Sequence, residues 1–360
     1  MIPYAKPSLE SLPTELLILI LLGISDLASL KSIVLSSPIC HQAYLTVRQK
    51  ALFCIIKSQY GVHLADGVLA IRSRGLNLTH HKNEAIALLD TWRRREEINV
   101  VSTSSNRFDE PQNLEEILNL VHHFKVFQFF LRNFAANAPR PEWIDHDQWE
   151  TTILPIELSP TEKHRVFRAL CRFQAFSNIF GVVETTKFDL IYEEMTASLH
   201  ALVKEHATRD DWGSIQKLDD LEELPDASAS LALLGPEFDY RLLHATPLVQ
   251  RDMVMLNADF DLSISPTLIP YMREEYMRPS IYPADRYDVQ DYKRLWSTLP
   301  SVEQPNIGWK KYFLKPGASE FGFEDSFYQG YGEKSVLEWS YAIWDDERLK
   351  AWNAPLLEDN

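Results

Sequence analysis

The sequence predicts an all-α protein, because glycine is scarce and apolar residues recur at helical spacing along most of the chain. Only 12 of the 360 residues are glycine, which is fewer than the ~7% of average proteins. Apolar positions three and four residues apart are typical of amphipathic helices, and the alternating runs typical of strands are few. The length is enough for about two domains, and a hydrophobic fraction of 45% can form a sizeable core.

The most apolar segment, residues 11–50, predicts three consecutive helices and begins with the first of them. Pro13 suits the first turn, because the N–H that proline lacks would have no helical partner there. Leucine and isoleucine then occupy every side of this helix, and a helix that is apolar all round is expected to be buried on all sides. Gly23 can end it, since glycine adopts the left-handed conformation without strain.

The second and third helices follow at once. Ser25 or Asp26 provides an N-terminal cap for the second helix, since their short polar side chains accept hydrogen bonds from backbone N–H groups. Pro38 separates this helix from the third, because the residue before a proline avoids the helical conformation. The third helix is predicted to end near Lys57.

A membrane span or a signal peptide would also explain an apolar N-terminal run. A span needs ~20 consecutive apolar residues, and Glu15 and Asp26 enclose a shorter run. A signal peptide has basic residues before its apolar part, whereas Glu10 and Glu15 come first here. Two ordinary core helices remain as the other alternative.

The order of residues in this segment carries a family resemblance: Leu12-Pro13, Glu15-Leu16-Leu17, Ile20-Leu21, Ile24, Asp26-Leu27 and Leu30. This order resembles an F-box, the adaptor-binding module of ubiquitin-ligase substrate receptors, and most of all the F-box proteins expanded in filamentous fungi. The segments 168–181 and 341–352 resemble the same family. One departure is Tyr44, the aromatic residue nearest to the place where many F-boxes carry a tryptophan.

The resemblance implies a tail at residues 1–10, an F-box at 11–50 and a helical target-binding domain at 51–360. It implies that the F-box binds a Skp-type adaptor, which binds a cullin, and that the chain has no catalytic residue, metal or cofactor of its own. The residues expected to contact the adaptor are Leu12, Pro13, Leu16, Leu17, Ile20, Leu21, Leu27, Leu30 and Val34.

Helical spacing continues through the rest of the chain. Further helices are predicted at residues 81–97, 114–136, 159–181, 186–206 and 334–352, with irregular connections at 101–111 and 137–160. Ser159 and Glu162 have the spacing of a capping box, which marks the start of a helix.

Charge and cysteine content limit the partners and the compartment. The formal net charge is −15, which repels nucleic acid and gives no attraction to an anionic membrane surface. Three cysteines in apolar contexts, Cys40, Cys54 and Cys171, are typical of reduced thiols rather than of a disulfide framework. The expected location is therefore the cytoplasm or the nucleus.

Two clusters of chemically active residues have simpler explanations. Asp145-His146-Asp147 contains metal-ligand types, but neighbouring side chains diverge and no second ligand group has a recognised spacing. Trp92-Arg93-Arg94-Arg95 joins an aromatic to three cations. Because Glu96 and Glu97 follow and the chain is acidic, we interpret this run as a solvated helix end.

The sequence therefore predicts a non-catalytic substrate receptor of a cullin–RING ubiquitin ligase, with an unidentified protein target. The alternative is a structural or assembly protein that binds an adaptor through its F-box-like helices without ubiquitination. An enzyme with a novel helical active site is a third hypothesis.

Overall fold

The computed structural model describes residues 9–95, 107–181, 231, 234–257, 304, 306–308 and 343–354. These residues form helices and turns without any strand, which confirms the all-α fold class. The helix predicted at 186–206 lies outside these residues, as does the 334–342 part of the last predicted helix.

The described helices begin with four that are separated by short turns. A 3₁₀ turn at Leu9–Ser11 comes before them, another at Gly61–His63 joins two of them, and the turn His146–Gln148 continues as a π-helical Trp149–Ile153. In chain order they are α1 (Thr14–Leu22), α2 (Leu27–Ser36), α3 (Pro38–Tyr60), α4 (Leu64–Arg72), α5 (Leu78–Arg93), α6 (Leu114–Ala136), α7 (Pro160–Phe180), α8 (Pro236–His244), α9 (Pro247–Asn257) and α10 (Asp346–Ala351).

The start and the end of the first helix each differ in one detail from the sequence prediction. Pro13 lies at the N-cap, one residue before the first turn rather than within it. Gly23 ends α1 with φ −85°, which is a right-handed conformation that any residue can adopt. The glycine therefore does not use its left-handed freedom here.

Asp26, one of the two residues expected, caps α2, and Ser37 caps α3. The carboxylate of Asp26 accepts a hydrogen bond from the N–H of Ser29 at 2.8 Å, and this bond lowers the pKa of Asp26. The hydroxyl of Ser37 accepts from the N–H of Ile39, and Pro38 is the first residue of α3. The third helix continues to Tyr60, past the predicted end at Lys57.

The described chain divides into two compact units. Unit 1 comprises Met1–Phe127 and Leu170–Phe260, and unit 2 comprises Gln128–Ala169 and Asp261–Asn360. The division proposed from the sequence, with a boundary at residue 50, is a different one and stays a prediction.

The core of unit 1 forms around the second half of α3. Ile55, Ile56 and Tyr60 are almost fully buried there, and the Tyr60 hydroxyl donates a hydrogen bond to the carbonyl of Leu120 at 3.0 Å. Gly67 on α4 allows this packing, because a Cβ at that position would lie 2.3 Å from a ring carbon of Tyr60. The same helix α3 contacts α1 and α2, so it joins the N-terminal helices to this core.

An ionic cluster holds α8 in unit 1. The carboxylate of Glu237 pairs with Arg74 and lies 3.2 Å from Nε2 of His123 and 3.4 Å from Nε2 of His122. Burial alone would raise the pKa of Glu237, but the hydrogen bond and charge of His123, with the charge of Arg74, lower it from 4.5 to about 2. Two residues later, burial raises the pKa of Asp239 from 3.8 to about 6.

The two carboxylates of α8 affect its stability with opposite pH dependence. Glu237 stabilises the folded state above pH 4.5, and this contribution, about 3 kcal/mol, is lost as the pH falls toward 2. The charged form of Asp239 costs stability above pH 6, and that cost disappears as the pH falls toward 3.8. Between pH 7 and 5 this gain is opposed by His123, because burial lowers its pKa and its protonation then costs stability below pH 6.5. Hydrogen-exchange protection of the α8 amides, corrected for the intrinsic exchange rate, should therefore fall below pH 4.5.

Two variants separate the contributions of the two carboxylates. Asp239→Asn should raise protection at pH 7, because it removes a partly buried charge, and Glu237→Gln should lower protection at pH 7 and flatten the fall at acid pH. Wild-type protection at pH 7 in Asp239→Asn would show that the charge of Asp239 does not limit the stability of α8.

The described core of unit 2 is aromatic and includes the C-terminal segment 343–354. Trp344 is fully buried, stacks on Phe134 with ring centroids 5.3 Å apart and meets Trp352 edge to face at 5.1 Å. Ile343 and Trp344 lie in a turn before α10 rather than within a long helix, which corrects the predicted continuous helix for the residues described there. The indole N–H of Trp143 donates to the carbonyl of Trp352 at 2.8 Å.

A buried carboxylate fastens this segment to the start of α7. Ser159 and Glu162 form the predicted capping box, in which each side chain accepts a hydrogen bond from the other's backbone N–H. Glu162 also accepts two hydrogen bonds from Arg348, at 2.6 and 2.8 Å, and one from the N–H of Asp345. Burial opposes its ionisation, but these donors outweigh burial and lower the pKa of Glu162.

Candidate functional site

The candidate site is the N-terminal group α1–α3, whose packing separates its apolar residues into two sets. α3 contacts both α1 and α2, and the caps of Asp26 and Ser37 define the two turns between them. Side chains directed toward α3 are buried, and the others remain on the surface.

Four of the nine residues expected to contact an adaptor lie in this small core instead. Leu17, Leu21, Leu30 and Val34 are at most 9% exposed. They stabilise the arrangement of the three helices, and they reach no partner while the helices keep this packing. We therefore leave them out of the contact surface proposed below.

The other five residues are accessible to different degrees. Pro13, Leu16 and Ile20 are exposed, and Leu12 and Leu27 are half-buried. The expectation that α1 is buried on all sides is wrong for this chain on its own, because α1 is covered on one side only.

The exposed apolar side chains of α1 share one side of the helix. Leu16, Leu19 and Ile20 are 45%, 63% and 38% exposed, and residues three and four apart are neighbours on a helix surface. We call these three residues the α1 face. Leu19 was missed by the sequence analysis, because a helix that is apolar all round gives no sign of which side its own chain will cover.

The neighbouring helices add exposed apolar side chains to the same module. Leu35 in α2 is 71% exposed, and Ile39 and Leu45 in α3 are 46% and 49% exposed. Single exposed leucines are ordinary, but a concentration of them within one short module is typical of a protein-interaction site.

Comparisons of the chain with protein-family models, with curated proteins and with solved structures find no match. The F-box resemblance therefore rests on the residue order of the N-terminal segment. Function has to be argued from the α1 face and its surroundings.

The described residues offer little other chemistry. No three His, Cys, Asp or Glu residues among them are arranged to hold a metal, and Asp145 caps a turn by accepting from the N–H of Gln148. Burial raises the pKa of the Cys171 thiol, which keeps it in the unreactive protonated form. None of the helices in the described ranges is long and apolar enough to cross a membrane.

Proposed function

We propose that this chain is a substrate receptor of an SCF-type cullin–RING ubiquitin ligase and binds a Skp-type adaptor through α1–α3. The observation that carries the proposal is the α1 face, three exposed apolar side chains in a segment whose residue order resembles an F-box. The target is a protein held by the remainder of the chain.

The free energy available to such a contact supports the proposal. Removing a leucine or isoleucine side chain from water contributes about 1.5–3 kcal/mol, and the α1 face offers three that are only partly covered. A partner with a complementary apolar groove would gain this energy. Leu12 and Leu27 are half-buried and would lie at the edge of the contact.

The continuity of α3 supports a role in positioning. It is one helix of 23 residues, about 35 Å long, and its interior contains neither proline nor glycine. It contacts α1 and α2, and Ala51, Ile55 and Ile56 in its second half are fully buried in unit 1. An adaptor bound to α1 would thus be joined without a flexible linker to the core of unit 1, which raises the effective concentration of a bound target near the conjugating enzyme.

Reconstitution tests the proposal and separates it from the alternative. The full chain, co-expressed with a Skp-type adaptor, should elute with it as one complex in size-exclusion chromatography. Addition of a cullin–RING pair should then give a complex of all four proteins. A complex with the adaptor that excludes the cullin would favour an assembly protein, and absence of any complex would contradict both functions.

Expression behaviour gives a simpler prediction. The full chain expressed without adaptor should aggregate or bind chaperones, because an uncovered apolar surface promotes association. Co-expressed adaptor should raise the monodisperse fraction measured by light scattering. Replacing Leu16, Leu19 and Ile20 with serine should raise the same fraction in the chain expressed without adaptor. A stable monodisperse wild-type chain without adaptor would contradict this prediction.

A further inference from the structure

An aromatic and cationic surface forms in unit 1 where the end of α5 meets α7. The guanidinium of Arg172 lies over the indole ring of Trp92, with its central carbon 5.3 Å from the ring centroid. Arg95 makes a second such contact at 5.2 Å. Trp92 thus contacts Arg95, which is close in sequence, and Arg172 on α7, and the local run of arginines did not predict the second contact.

Arg172 is oriented on one side and accessible on the other. Its Nε donates a hydrogen bond to Asp66 at 3.2 Å, and its side chain is 47% exposed while that of Asp66 is 5% exposed. Burial opposes ionisation of Asp66, but His63 and Arg172 outweigh it and lower its pKa, so the pair stays charged. Within the described part of the chain, the two Nη groups of Arg172 make no hydrogen bond.

The surroundings add positive charge. Arg93 at the end of α5 and Arg94 immediately after it are exposed, and Arg95 donates to the carbonyl of Trp92 at 3.0 Å. In a chain of net charge −15, this collection of donors is a local exception.

We propose that the basic surface formed by Trp92, Arg93, Arg94 and Arg172 binds an acidic peptide segment of a protein partner. The planar fork of a guanidinium matches a carboxylate, and its position over an aromatic ring fixes its direction. A short acidic segment suits this surface better than nucleic acid, because the chain's negative charge repels a long polyanion more strongly than a few carboxylates.

This inference rests on the proposed function only in calling the partner a target. The surface would bind the target's acidic segment while α1 binds the adaptor. Adaptor binding and peptide binding are measured separately, so failure of one does not decide the other.

The test is fluorescence anisotropy with the full chain, co-purified with adaptor where the chain requires it. The probe is a fluorescein-labelled octapeptide of alternating glutamate and serine, and the matched peptide has glutamine in place of glutamate. The glutamate peptide should bind at low salt and weaken as salt is added. The glutamine peptide and adaptor alone should not bind.

Variants then locate the site. Arg172→Gln should weaken peptide binding about tenfold, the effect of losing one charge-assisted hydrogen-bonded contact. Lys125→Gln, which removes one exposed charge from α6, should change it less than about twofold. Arg172→Lys keeps the charge beside Asp66 but lacks the fork, so it should retain the wild-type melting temperature and still weaken binding several-fold.

Three results would overturn the proposal. Equal losses in Arg172→Gln and Lys125→Gln would indicate a general charge effect. Wild-type binding by Arg172→Lys would indicate a point charge without directional contact. Binding of a phosphoserine peptide without any binding of the glutamate peptide would indicate a site for phosphate.

Discussion

Replacing Leu16 and Ile20 with aspartate should abolish binding of a Skp-type adaptor and leave the fold of the chain unchanged. Both side chains are exposed on the α1 face, at 45% and 38%, so aspartate meets water in the free chain. In the complex it would be buried without a partner. Each substitution should cost on the order of 2 kcal/mol as a hot spot, and together they should weaken binding about a thousandfold.

The measurement is the amount of adaptor that co-purifies with the affinity-tagged chain after co-expression, accompanied by a thermal melt of each purified sample. The matched control is Leu243→Asp with Leu248→Asp, two leucines in α8 and α9 that are 56% and 71% exposed. The control should bind adaptor like the wild type. A wild-type amount of adaptor with the Leu16 and Ile20 variant, and an unchanged melt, would show that the α1 face is not the adaptor contact.

Leu17 illustrates why the burial of each residue matters for this experiment. It is adjacent to Leu16 and equally apolar, but it is 2% exposed. Aspartate at Leu17 would place an unpaired charge among the three helices and unfold them. Loss of adaptor binding would then give no information about the contact surface.

Replacing Trp344 with alanine should strongly destabilise unit 2 and make it sensitive to proteolysis. Trp344 is fully buried and packs on Phe134 and Trp352. A buried tryptophan replaced by alanine costs about 3–5 kcal/mol, which is much of the 5–15 kcal/mol that typically stabilises a domain. Deleting residues 333–360 removes this side chain together with Arg348, the partner of Glu162, and should have a larger effect.

Limited proteolysis and thermal melting of the variant in complex with adaptor would measure this effect. The expected result is cleavage within residues 128–169 and 343–354 with retained adaptor binding. Lys350→Ala, an exposed position on α10, should melt like the wild type. An unchanged melt in Trp344→Ala or in the truncated chain would indicate that the C-terminal segment is a separate docking element, where the target site should then be sought.

Local signals in the sequence predicted much of the fold correctly. The bounds of α6 match the predicted helix at 114–136, and α7 lies within the predicted 159–181. Helix ends were predicted where the cap acts on neighbouring residues, as Ser159 and Glu162 do. The last helix was predicted too long, because Trp344 fits helical spacing and yet is held in a turn by contacts with Phe134 and Trp352.

The sequence by itself determined that α1–α3 form, because Asp26, Ser37 and Pro38 act through backbone hydrogen bonds and dihedral limits that need no distant partner. Only the tertiary structure decided which leucines of α1 remain on the surface. Leu16 and Leu17 have the same side chain and the same hydrophobicity, but in the packed chain one is 45% and the other 2% exposed.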